Sequence, residues 1–278
     1  MGNLIRIELY KIFSKGRTYI GFGAIALIVM AIQIGIYFEG REILDFAIKH
    51  LKENFVFEGK LINAYLITHI ILNSLFIHIP FLIALVTGDL LAGEANSGTF
   101  RLLLTRPVSR TKLLTAKFIS GWIYTVSLLI FMLILSLGVG LAIFGTGDLI
   151  VLKSSINIFS SDDVLWRFAA AYGFGIITMT AVAALSFMLS AFSDNSIGPI
   201  IGTVAIIIGI TVISTIGFTL MEPVNPYLFT NYLTSWQLFF DHDINTAKLT
   251  RAIVVEVVYI VIFLGVTFTY FKRKDILS

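Results

Sequence analysis

The sequence predicts an all-α membrane protein with six transmembrane helices, and three observations predict it. First, 57% of its 278 residues are hydrophobic and only 13% are charged, too apolar for a soluble domain of this length. Second, six apolar runs are each about as long as a helix must be to cross a hydrocarbon core, roughly 20 residues. Third, the runs are far longer than a barrel strand of about 10 residues. With no water in lipid to satisfy backbone groups, such runs must satisfy their own as helices.

Residues 1–17 form a charged leader. Between Asn3 and Lys15, Ile5, Leu9, Ile12 and Phe13 share one helical face, while Glu8, Lys11 and Lys15 share another. That pattern suits a helix lying in the membrane interface. The spans are expected at about 18–38, 64–88, 118–144, 166–192, 197–218 and 250–271. The first is too long for a secretory signal core and no small-residue cleavage site follows it, so it is expected to stay in place. The connection 39–60 repeats Ile43, Phe46, Ala47 and Leu51 at helical spacing. The connection 222–251 holds Pro223, Pro226, Tyr227, Phe229, Tyr232, Trp236, Phe239 and Phe240, a composition that suits short re-entrant or interfacial helices better than a free loop. Residues 1–278 read as one membrane domain. The long basic loop after the second span has no counterpart near Asp194, so no inverted repeat is assigned.

Lys and Arg placement orients the chain, because positive residues near span ends stay on the cytoplasmic side. With the N-terminus inside, the inner segments hold 12 of the 20 Lys and Arg. Four of the other eight, Arg41, Lys49, Lys52 and Lys60, share a loop with five acidic residues. Both termini, and the loop after the second span, are therefore expected in the cytoplasm of a cell-membrane protein.

Enzyme motifs are absent. The chain has no HExxH, no GxSxG and no GxxxxGK[ST], so it holds no ATP by a P-loop. Without cysteine it has no thiolate chemistry. Gly145-Thr146-Gly147-Asp148 resembles part of an aspartyl-protease site, but such a site needs a second aspartate within a span. Asp241-His242-Asp243 lacks the third element that would let neighbouring side chains converge on a metal, so no metal site is expected.

A few polar residues fall inside the spans. Glu256 in the last span is a functional candidate because an ionised carboxylate is costly there; Arg251 or the aromatic segment would be its structural partner. His69 and Asn73, four apart, share a face of the second span. Gly198 and Gly202 let helices approach closely, within one chain or between two.

The stretch Glu94-Ala-Asn-Ser-Gly98-Thr99-Phe-Arg101-Leu-Leu-Leu-Thr-Arg106-Pro107-Val-Ser-Arg110-Thr-Lys-Leu-Leu-Thr-Ala-Lys117 resembles the signature loop of ATP-binding-cassette (ABC) type-2 permeases. A glutamate, a Gly-Thr, a leucine run, a Pro-Val-Ser-Arg turn and a Lys-Phe entry into the next span come in that family's order. The Glu8-Leu-Tyr-Lys11 leader, the span count and the closing Phe271-Lys-Arg-Lys-Asp275 agree.

The resemblance implies a permease subunit, itself not an enzyme, that pairs with a second permease chain as a homo- or heterodimer. A separate cytoplasmic ABC ATPase, carrying the ATP and Mg, docks on the 93–112 loop. The coupling helix falls on Glu94 to Leu104, with Glu94, Gly98, Thr99, Arg101, Arg106 and Pro107 as coupling residues. Spans two and five line the path, making His69 and Asn73 candidates beside Glu256. Anchoring to anionic lipid would explain the loop's arginines but not Glu94, Gly98 and Thr99. The apolar spans favour an amphipathic exported cargo, and no nucleic-acid partner is expected. A non-transporting membrane anchor, or a channel or secondary carrier, are the other classes the sequence allows.

Overall fold

The computed structural model describes residues 1–47, 60–98, 108–153, 156–217 and 221–274. Among them, six helices are long and apolar enough to cross a membrane: Gly16–Gly40, Ile79–Asn96, Arg110–Phe144, Ser161–Phe192, Ile197–Ile216 and Thr246–Arg273. Helix α1 (Gly2–Phe13) precedes α2 (Gly16–Ala47), which runs well past the expected end at 38.

The second span departs from the single helix expected over 64–88. It is α3 (Ala64–Phe76), α4 (Ile79–Thr87) and α5 (Asp89–Asn96) in succession. The break after Phe76 has a local cause. Pro80 lacks an N–H and its ring would collide with the carbonyl four residues back, that of Phe76; proline is instead accommodated in the first turn of α4. The membrane-length piece is therefore Ile79–Asn96, shifted eight residues beyond Gly88 into what the sequence marked as loop.

The third span starts eight residues before 118. Ser109 caps α6 (Arg110–Leu133) by accepting from Lys112 N at 3.3 Å. A π-helical turn, Ile134–Val139, leads into α7 (Gly140–Phe144).

The all-α expectation is corrected between the third and fourth spans. Strands β1 (Leu149–Leu152) and β2 (Ile156–Phe159) form an antiparallel hairpin, Leu149 opposite Phe159 and Leu152 opposite Ile156. Alternation drives it: Leu149, Val151, Asn157 and Phe159 turn inward, Ile158 outward, the period-2 pattern of a half-buried strand. Asp148, the aspartate of the protease-like string, accepts from Ser161 N at 3.1 Å through Oδ1, so it steadies the start of the next helix.

Helix α8 (Ser161–Phe192) begins five residues before the expected 166, α9 (Ile197–Ile216) ends two before 218, and α10 (Thr246–Arg273) begins four before 250. The aromatic connection forms 3-10 turns at Asn225–Tyr227, Phe229–Tyr232 and Ser235–Phe240, in line with the short helices expected there. Phe229, Trp236 and Phe240 are buried. The hairpin holds this segment: Lys153 Nζ donates to Gln237 O at 2.8 Å and to Asp241 Oδ1 at 2.5 Å.

Helix α8 is the hub. In its most apolar window 72% is buried within the protein, as for Ile79–Asn96, against 17% for α9 and 22% for α10. The peripheral helices thus turn large apolar faces outward, as spans facing hydrocarbon do.

Candidate functional site

The sequence concentrates charge at the α1 end of the bundle, and there the fold brings it together. Glu8 and Lys11 come from α1, Glu94 from α5 and Lys117 from α6. Lys11 Nζ lies 2.8 Å from both Glu8 Oε1 and Glu94 Oε1. Lys117 Nζ lies 2.8 Å from Glu8 Oε2 and also pairs with Glu94. Two carboxylates and two ammonium groups thus alternate around a closed ring. Glu8 is 4% exposed and Lys117 1%; a buried charge needs such pairing because water no longer solvates it.

This corrects the leader reading at one residue. The sequence pattern sets Glu8 with Lys11 and Lys15 on a face apart from Ile12, but it lies with Ile12 on the buried side of α1, which packs along α6. Burial works to raise the Glu8 carboxyl, but Lys117 and Lys11 outweigh it and hold the group below its ordinary 4.5. Burial likewise works to lower Lys11, and its bonds to Glu8 and Glu94 outweigh it and hold the ammonium above its ordinary 10.5. The ring is therefore ionised at neutral pH on its α1 side.

A second cluster sits one turn away. Asp89, 5% exposed, pairs with Arg17 and with Lys15 at 2.9 Å, and Ser196 Oγ, at the entry to α9, donates to it at 2.5 Å. Gly93 makes room: a Cβ there would strike the Asp89 carboxylate. Between the clusters lies a cavity of about 30 Å³ lined by Glu8, Lys11, Lys15, Arg17, Asp89, Glu94 and Lys117, among others, enough for one water.

The segment between α5 and α6 is tied at both ends. Glu94 fastens its start to α1 and α6. At its other end Arg110 Nη1 donates to the carbonyls of Phe271, Lys272 and Lys274 at 3.3, 3.1 and 2.9 Å. It thereby satisfies acceptors that the end of α10 leaves open. Gly98 closes α5 with φ +66°, a left-handed conformation that glycine adopts freely. Thr99, Arg101, Arg106 and Pro107 lie outside the described residues.

The other sequence candidates are scattered. His69 packs its ring on Trp236 and Phe240, with centroids 5.9 and 4.9 Å away. Asn73 donates to His69 O at 3.0 Å and accepts from Gln237 Nε2 at 2.8 Å. Both are thus bound to the aromatic segment near the hairpin. Glu256 is fully buried on the face of α10 that also holds Ala252 and Phe263. Arg251, suggested as its partner, instead stands over the Tyr227 ring at 5.7 Å. A Cβ on Gly202 would meet Leu189 of α8 at 3.3 Å and one on Gly198 would meet Ser193 at 3.2 Å.

Sequence reading missed Asp89 and undervalued Glu8 and Lys117. The available signal was two acids, Asp89 and Glu94, five apart at the end of an apolar run, with an isolated lysine at the start of the next. Three of the cations they meet, Lys11, Lys15 and Arg17, come from the N-terminal stretch far away in sequence.

A family described as "Protein of unknown function (DUF2705)" matches residues 24–277. The chain belongs to this family. The match takes in Asp89, Glu94, Arg110, Lys117 and Glu256, and starts after α1. The "Uncharacterized protein YhcI" of Bacillus subtilis (strain 168) is 26% identical over 198 residues, covering 69% of this chain and 63% of that protein. Neither description names an activity.

Proposed function

We propose that this member of the family is the membrane-spanning subunit of an ABC exporter, paired with a second permease chain in the cytoplasmic membrane with both termini inside. ATP and Mg reside in a separate ABC ATPase, which docks on the 93–112 segment. The observation that carries the reading is the double tether of that segment. Its start is locked through Glu94 to Lys11 and Lys117, and its end through Arg110 to the last turn of α10.

A push at either tether reaches the helices directly. Glu94 passes it to α1, α6 and, through the rigid α5, to the joint with α4; Arg110 passes it to α10. Ion pairs and packed helices with discrete arrangements are the elements that carry coupling of this kind. The ATPase would thus move the second span against α9 and open a path between the two permease chains. Thr99, Arg101, Arg106 and Pro107 would form the docking face between the tethers.

The test is purification of the chain with its neighbouring gene products under native expression. An ABC ATPase should copurify. Glu94→Gln should lower substrate-stimulated ATP hydrolysis several-fold while membrane insertion is kept. A stable native complex without any ATPase overturns the proposal; an ATPase that copurifies but never responds to lipids, peptides, drugs or ions supports the anchoring role instead.

A further inference from the structure

Glu256 is the one described carboxylate placed deep in a span, about 15 Å from the start of α10 at 1.5 Å per residue. It has no exposed surface, and neither carboxyl oxygen has a hydrogen-bond partner among the described residues. It shares the buried face of α10 with Ala252, Phe263, Thr267 and Phe271, the face set against α8.

The neighbours show what could stabilise a charge there. Near the far end of the two helices the rings of Phe192 and Tyr270 lie 4.4 Å apart, and Lys274 Nζ reaches Ala191 O at 3.3 Å. The helices run side by side in one direction, so counting back equally from that pair places Thr178 at the level of Glu256. The Thr178 hydroxyl already donates to Gly175 O at 3.1 Å.

Charged groups on the packed elements are engaged or distant. On α8, Arg167 is held by Asp163 and by the carbonyls of Phe239 and Asp241, and Asp162 is exposed at the helix start. On α6, Lys117 is held by Glu8 and Glu94, Arg110 by the carbonyls at the end of α10, and Lys112 is exposed near the helix start. The turns Phe229–Tyr232 and Ser235–Phe240 contain no charged residue. On α10 itself Lys248 and Arg251 are exposed near its start, and Lys272 and Arg273 lie at its end. Of the tyrosines, the Tyr172 hydroxyl is with Ser136, Tyr232 donates to Pro226 O and Tyr124 to Leu82 O; the Tyr259 ring packs on Phe229 and Phe263.

A carboxylate in this place would need donors or a cation, and none is offered among the described residues. The neutral acid needs only one acceptor for its O–H, and it escapes the cost of an unpaired charge in an apolar interior. We infer that Glu256 is a proton-binding site: it carries a proton while α8 and α10 are packed, and can ionise only when water or a cation enters between them. The inference is independent of the transport reading.

The test uses the full-length chain in lipid vesicles at neutral pH with dicyclohexylcarbodiimide, an apolar reagent that attacks protonated carboxyls. Peptide mass spectrometry should find one adduct, on Glu256, and Glu256→Gln should lose it. Infrared spectra of the untreated protein should contain the carbonyl stretch of a protonated carboxyl, absent from the Gln variant. An unlabelled Glu256, or a labelled protein whose infrared spectrum shows every carboxyl ionised, overturns the proposal. The labelling and infrared result on the native sequence alone decide it if the variant does not fold. Absence of an ATPase partner would leave both readouts unchanged.

Discussion

At the scale of single residues, the α1 end shows how burial ranks charges that look alike in sequence. Lys11 and Lys117 each contact both Glu8 and Glu94, yet the side chain of Lys11 is 36% exposed and that of Lys117 1%. Removing Lys117 breaks the buried half of the ring and leaves two buried carboxylates sharing the one half-buried Lys11, a loss of up to about 3–5 kcal/mol, the range for a broken buried pair. Removing Lys11 costs less, since its half-buried ammonium is partly screened by solvent and both carboxylates keep Lys117. Lys117→Met should therefore lower the melting temperature of the purified protein far more than Lys11→Met. Equal shifts would show that the ring is not the buried unit described above. Glu94 was legible as unusual, being acidic beside an apolar run, but its partners were not. Only folding sets Glu8 and Lys11 against a residue some eighty positions on.

At the scale of elements, the joint in the second span explains why α5 exists. Pro80 ends α3 before the chain restarts as α4, and Gly88 lets the next turn approach α8: a Cβ there would come within 3.0 Å of Ser186 Oγ. One turn further along α8, Ser190 Oγ accepts from Leu91 N at 3.0 Å and from Ala92 N at 2.9 Å. These N–H groups lie in the first turn of α5, where a helix cannot satisfy its own donors. Ser190→Ala should cost about 1–3 kcal/mol, the range for orphaned buried donors, while Ser190→Thr keeps the acceptor. Thermal unfolding of both variants checks this, and an Ala variant as stable as the parent refutes it. The sequence located Gly88 as a span end because glycine and charge follow an apolar run there. The joint is instead a helical continuation held by a serine on another span. The hairpin was missed for a related reason: four-residue apolar strands flanking Lys153 resemble the end of a span until the alternation of Leu149, Val151, Asn157 and Phe159 is given an inside.

At the scale of the whole molecule, hydropathy and cross-chain pairing divide the work. Insertion of the six spans depends on their own length and apolarity, and α1 is not among them. Its role is to close the ring with α5 and α6. Deleting residues 1–13 should leave six spans inserted, by protease protection, yet lower the melting temperature at least as far as Lys117→Met does. A truncated chain as stable as the parent would show that α1 is an ornament of the bundle. By itself the sequence determined that the chain is helical, that it has six membrane-length runs, and that its basic residues gather around the second connection, because those features follow from side-chain solvation and helical period alone. Tertiary structure decided that Glu8 faces inward, that Asp89 and Glu94 meet four cations from three helices and a turn, and that Glu256 meets none among the described residues. Those outcomes depend on which distant helix lies alongside, and in an interior without water a charge's state is set by that neighbour.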